Sequence, residues 1–137
     1  MTKKRVLILC TGNSARSQMA EGLLRHHAGD RFEVCSAGVE PVPIRPEAIS
    51  VMAELGIDLS GHRSKHVKEF AGQHFDYVLT VCDHARDTCP VFSGAARMFH
   101  HSFVDPGNCH GSSEERMALF RQVRDEIREY VREFPHE

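Results

Sequence analysis

The chain has 137 residues, 41% of them hydrophobic, and a formal charge of -2. That length suits one domain over residues 1–137 with its own core, without a structural metal or disulfide staple. The slight acidity leaves no footprint for nucleic acid, and the apolar run Val6–Cys10 is too short for a signal core or a membrane span.

Taken in chain order, Val6-Leu7-Ile8-Leu9 is continuously apolar, as in a strand buried on both faces of a parallel sheet. The small, polar stretch Cys10 to Ser17 follows. Met19, Ala20, Leu23 and Leu24 then recur at helical spacing, with Gln18, Glu21 and Arg25 between them. Phe32 to Cys35 makes a second short strand, and Ala37-Gly38-Val39 leaves it for a loop punctuated by Pro41, Pro43 and Pro46. From Glu47, the positions Ala48, Val51, Met52 and Leu55 give a second amphipathic helix with Gly56 as its C-cap. Phe75 to Val81 is a third strand and Arg97 to His100 a fourth. Ser112 caps the last helix, Glu115 takes the capping-box position, and Met117, Phe120, Val123, Ile127, Val131 and Phe134 form its apolar stripe. Strands and helices alternate throughout, which indicates a three-layer α/β domain with a mostly parallel sheet. Lys3, Lys4 and Arg5 are expected in a solvated tail, and the ten histidines at surface or capping positions, with His62 alternatively facing the active site from its loop.

Cys10 stands where a buried strand ends and a helix soon begins, the edge at which open α/β sheets bind ligands. The loop Thr11-Gly12-Asn13-Ser14-Ala15 can turn backbone N–H groups towards one point, and the helix adds its positive end. Arg16 closes the segment as Cys-x5-Arg, with a planar fork for two oxygens of a tetrahedral oxyanion. Gly12 is expected to take an awkward backbone angle, and Asn13 to tolerate a left-handed one or tie the loop. The same field should favour a thiolate at Cys10, with Ser17 rather than Ser14 donating to it. The competing interpretation is an inert cysteine beside a nucleotide-phosphate loop.

Five cysteines do not make a disulfide framework in a chain able to build a core, so reduced thiols in the cytoplasm are expected. Cys82 ends the third strand, on the edge that carries Cys10. Cys89 follows across a polar segment that suits a short helix or a mobile loop. A zinc site drawing on His84 and Cys109 or His110 conflicts with the Cys-x6-Cys spacing, so no metal is expected. Cys35 fits a strand or core position. Cys109 allows a redox role without demanding one. Asp105-Pro106 by itself is a turn signal.

The run Val6 to Glu21, together with Ser36-Ala37-Gly38 and Phe103-Val104-Asp105-Pro106, resembles the low-molecular-weight tyrosine phosphatases and the arsenate reductases that share their fold. The resemblance implies a four-stranded parallel sheet flanked by helices. Cys10 to Glu21 resembles the reductase form in particular, and Cys82 with Cys89 resembles the pair of thioredoxin-coupled reductases. The implied catalytic set is Cys10, Arg16, Cys82, Cys89 and Asp105, with arsenate as substrate and phosphate or sulfate as analogues. Thioredoxin is the implied electron donor, with no tightly bound cofactor, and a monomer is expected. Ala15 departs from several relatives, which carry cysteine there. Some members bind potassium through residues matching Asn13, Glu21 and Ser36. The carboxylate they also use is not evident around His62-Arg63-Ser64-Lys65, so the ion is not favoured here. One alternative is a phosphatase acting on phosphotyrosine or other phosphomonoesters, for which His100, His101, Ser102 and Phe103 make a poor aromatic set. A regulatory oxyanion or redox sensor, with Cys82–Cys89 as its switch, is a second.

Overall fold

β1 (Lys4–Cys10) is the axis of the molecule, and Val6, Leu7, Ile8 and Leu9 are wholly inaccessible to solvent. Burial of such side chains contributes about 1.5–3 kcal/mol each. The computed structural model describes residues 3–89 and 96–136. β2 (Phe32–Gly38), β3 (Tyr77–Thr80) and β4 (Arg97–His100) complete a parallel sheet in the order β2-β1-β3-β4. Its helices are α1 (Arg16–Ala28), α2 (Pro46–Ala53), α3 (Asp83–Thr88) and α4 (Ser113–Val131). The expected three-layer α/β fold with four parallel strands is the one observed.

Several boundaries differ from the sequence pattern. Lys4 and Arg5 begin β1 instead of trailing into solvent. Arg5 is pinned by Glu33, Gln73 and the His74 carbonyl, and its N–H donates to Asp76 at 2.8 Å. β2 runs on through Gly38, because its pairing with β1 continues to Cys10. α2 stops before Gly56, although that residue does take a left-handed φ of 76° in the turn that follows. α4 ends at Val131, but Phe134 stays buried. It joins an edge-on cluster with Phe32, Tyr77 and Phe99, whose ring centroids lie 5.3–6.1 Å apart. Phe32 and Tyr77 open their strands, so this cluster stabilises the end of the sheet away from Cys10. Both halves of the α4 capping box are formed between Ser112 and Glu115.

β1 is flanked by β2 on one side and β3 on the other, so the connections diverge from its carboxyl end. Cys10 occupies that topological switch point.

Candidate active site

Cys10 pairs with Gly38 of β2 at the end of the sheet and is 1% exposed. Beyond it the chain turns sharply at Asn13, which takes a left-handed φ of 49°. That is the left-handed angle expected of Asn13, and Gly12 itself lies outside the left-handed region. The space is what matters there, since a Cβ would lie 3.1 Å from both Ser14 Oγ and Val42 Cγ2. Gly38 is constrained more severely: a Cβ would meet the Thr11 carbonyl at 2.6 Å and the Asn13 nitrogen at 2.9 Å. α1 then starts with no side-chain cap and no acidic residue in its first turn. Its positive end is thus left to whatever fills the loop. The cavity beyond measures about 200 Å³ and is lined by residues 10–12, 14–16, 40, 42, 45 and 105.

Two donors converge on the sulfur. Asn13 N–H points at Cys10 Sγ from 3.2 Å, and Ser17 Oγ lies 2.8 Å away; no such contact involves Ser14. Burial nonetheless pushes the Cys10 thiol above its ordinary value. The Ser17 hydroxyl is the largest opposing influence, ahead of the Ser17 N–H, the Arg16 charge and the Asn13 N–H. The expected net lowering is therefore absent, because exclusion of water outweighs the donors present.

Gln18 and Glu21 sit between the apolar positions of α1 but are buried, with a polar network behind the loop to satisfy them. Asn13 Nδ2 donates to Ser17 Oγ at 2.7 Å and to Ser36 Oγ at 2.9 Å, and Ser36 donates to Glu21 at 2.6 Å. Gln18 donates to Asn13 Oδ1 at 3.0 Å and faces His62 Nδ1 at 3.0 Å. The segment 62–66 crosses the back of the loop. Ser64 Oγ contacts the carbonyls of Gly12, Asn13 and Val42, and Lys65 N–H donates to Asn13 Oδ1. These supports were missed in the sequence, since no periodicity marks the segment. His62 is also no surface residue.

The residues do not fit the potassium ion implied for some relatives. Glu21 already faces Arg25 at 2.8 Å, His62 at 3.5 Å and the Ser36 hydroxyl. Asn13 Oδ1 is taken by Gln18 and Lys65, and the Lys65 ammonium also acts electrostatically on Glu21. An ion would duplicate charge that Arg25 and Lys65 supply. Among the described residues, no group of three or more His, Cys, Asp or Glu is placed to hold a metal ion.

The other sequence-selected residues are brought to the same edge. Arg16 Nη1 donates to the Phe103 carbonyl at 3.2 Å, and Nη2 lies 3.6 Å from Asp105 Oδ2. Asp105 Oδ1 accepts from Gly107 N–H at 3.0 Å, which shapes the short 3-10 turn Pro106–Asn108. Cys82 is buried at the head of α3, and its sulfur lies 3.3 Å from Thr11 Oγ1, beside Cys10. Cys89 closes the other end of α3 and is half-buried, which pushes its thiol up. At 1.5 Å rise per residue, α3 holds the Cys82 and Cys89 backbones about 10 Å apart. Disulfides need Cα separations of about 4.4–6.8 Å, so the two thiols cannot join while the helix persists. Pro90, which follows Cys89 in the chain, lies outside the described residues. None of the five cysteines is in a disulfide; Cys35 is half-buried on β2, and Cys109 follows the acid loop.

A family model for low molecular weight phosphotyrosine protein phosphatase matches residues 5–137. An arsenate reductase of Halalkalibacterium halodurans is 43% identical over 134 residues, covering 98% of this chain and 96% of that protein. The solved structure of an arsenate reductase in its oxidized state superposes with a TM-score of 0.78 at 31% identity, covering 93% of both chains. A thioredoxin-dependent arsenate reductase of Corynebacterium glutamicum gives a TM-score of 0.65 at 29% identity, over 93% of this chain and 60% of that one. The match runs over nearly the whole length, and the chain belongs to the low-molecular-weight phosphotyrosine protein phosphatase family.

Proposed function

We propose that the protein reduces arsenate to arsenite, using Cys10 as nucleophile and Cys82 and Cys89 as a disulfide relay regenerated by thioredoxin. The observation that carries this is the placement of Cys82 against Thr11, with Cys89 at the far end of a short helix. A phosphatase needs only the loop, Arg16 and Asp105. Two further thiols at this edge give an oxidised sulfur somewhere to go.

Arsenate enters the cavity against the loop N–H groups and the Arg16 fork. The Cys10 thiolate attacks arsenic, and Asp105 protonates the departing oxygen, which leaves as water. Cys82 then attacks Cys10 sulfur. The Cys10–Cys82 bond forms, the sulfur–arsenic pair stays on arsenic, and arsenite departs two electrons richer. Cys89 attacks Cys82, forming Cys82–Cys89 and releasing Cys10 as thiolate. This last exchange requires α3 to unwind, which also exposes the disulfide to thioredoxin. Two electrons and two protons from thioredoxin restore both thiols.

Among the described residues no aromatic side chain lines the cavity, which favours a small inorganic oxyanion over a phenyl ester. Among the described residues no helix is long and apolar enough to cross a membrane, and the large exposed hydrophobics, Val42, Met98 and Val104, are few. The proposed chemistry, which needs reduced thiols, belongs in the cytoplasm, and we propose that the protein acts there as a monomer. The test is NADPH oxidation with arsenate, thioredoxin and thioredoxin reductase. Turnover is expected for the wild type and lost in Cys10→Ser, Cys82→Ser and Cys89→Ser. Full turnover in Cys89→Ser contradicts the relay, and hydrolysis of p-nitrophenyl phosphate without arsenate reduction favours the phosphatase.

A further inference from the structure

Arg45 lines the same cavity as Cys10 and Arg16, half-buried, yet no carboxylate among the described residues pairs with its guanidinium. Its neighbours are otherwise engaged. Arg16 faces Asp105, and Arg116 lies 3.3 Å from Glu47. Glu40, which also lines the cavity, is largely exposed and has His84 as its ion-pair partner at 3.8 Å. Removing a cation from water without a counter-ion is costly, so a half-buried unpaired guanidinium at a ligand cavity marks where an anion belongs.

Arg45 is also held in place from two sides. Its backbone N–H donates to the Ser14 carbonyl at 2.9 Å, fixing its Cα to the oxyanion loop. Its Nη2 donates to the Gly107 carbonyl at 3.3 Å. The guanidinium packs so closely on Gly107 that a Cβ there would lie 2.9–3.1 Å from its atoms. Arg45 therefore bridges the Cys10 loop and the turn that begins at Asp105. Pro46 at the first position of α2 fixes the geometry of the turn that presents it.

We infer that Arg45 is a second oxyanion-binding residue that selects doubly charged tetrahedral anions, adding a cation without a carboxylate partner to Arg16, whose charge is shared with Asp105. The inference deepens the reductase reading, but it concerns binding alone. It can therefore be tested with sulfate, which accepts no electrons from the thiols, and a failure of arsenate reduction would leave that test intact.

The experiment titrates sulfate and perchlorate, tetrahedral anions of charge two and one, against the reduced wild type, Arg45→Gln and Arg45→Lys. Arg45→Gln keeps a donor for the Gly107 carbonyl but loses the charge; Arg45→Lys keeps the charge. The expected result is about tenfold weaker sulfate binding in Arg45→Gln, with perchlorate changed less than about threefold and Arg45→Lys close to wild type. With arsenate, the KM of Arg45→Gln rises in step while kcat changes little. Wild-type sulfate affinity in Arg45→Gln overturns the inference, as does an equal loss for sulfate and perchlorate, which would make Arg45 only a brace for the acid loop. Arg45→Met repeats the measurement if Arg45→Gln does not fold.

Discussion

Ser17→Ala isolates the contact that most strongly opposes burial at the Cys10 sulfur. Its hydroxyl lies 2.8 Å from Cys10 Sγ, fully buried, and is the leading influence against desolvation of the thiolate. Asn13 Nδ2 loses one acceptor but keeps Ser36 at 2.9 Å, so the loop retains its tie to β2. A hydrogen bond to a charged group contributes about 1.5–3 kcal/mol. Taking the lower figure, since the neutral thiol also gains from the hydroxyl, the thiolate population at a fixed pH below the pKa falls about tenfold. Cys10 is already raised by burial, and removing a lowering influence raises it further. The variant is therefore slower at neutral pH and recovers as the pH rises. The assay is the rate of iodoacetamide attack on Cys10, followed by mass spectrometry of the Cys10 peptide across pH. A profile displaced to higher pH is expected. An unmoved profile, or one displaced to lower pH, refutes the role given to Ser17.

Other perturbations test the surrounding structure. Gly38→Ala drives a methyl group into the Thr11 carbonyl and the Asn13 nitrogen; a destabilisation of about 1–3 kcal/mol in thermal melts and loss of sulfate binding are expected. Asp83, which accepts from Ser102 at 2.8 Å and meets His100 at 3.0 Å, fastens the first turn of α3 to the sheet. Asp83→Ala is expected to speed amide exchange through residues 83–88 and the step that forms Cys82–Cys89, both readable by mass spectrometry. The Ser102 and His100 contacts hold the Asp83 carboxyl below its ordinary range, so this fastening persists at neutral pH and loosens as acid protonates it; exchange in α3 should rise there. Potassium and sodium chloride at equal ionic strength should give the same melting temperature, because Glu21 already has Arg25. A potassium-specific rise would show that the ion still fits.

The sequence carried the site's frontal view. A continuous apolar strand, a small polar loop and an arginine at fixed spacing placed Cys10, Arg16 and the start of α1, because each is local in the chain. The supports behind the loop were hidden. Gln18 and Glu21 look like a solvated helix face, and only partners from Ser36 and His62 explain their burial. Ser64 and Lys65 act through contacts more than fifty residues away in the chain, and no repeat in the sequence records such a contact. Asn13 takes the left-handed angle that its residue type suggests, whereas nothing local in the chain announces the tight approach at Gly38. β4 gave a faint pattern because Arg97 and Met98 on this edge strand are exposed. Its boundaries nevertheless match the reading, as do both capping residues of α4.

The relay is tested most directly by a single turnover of Cys89→Ser with arsenate and no reductant, with arsenite counted and disulfides mapped. The expected result is one arsenite per protein and a trapped Cys10–Cys82 disulfide, since Cys82 can accept the oxidised sulfur but cannot pass it on. Continued turnover of Cys89→Ser once thioredoxin is added, or arsenite release without a Cys10–Cys82 bond, contradicts the relay.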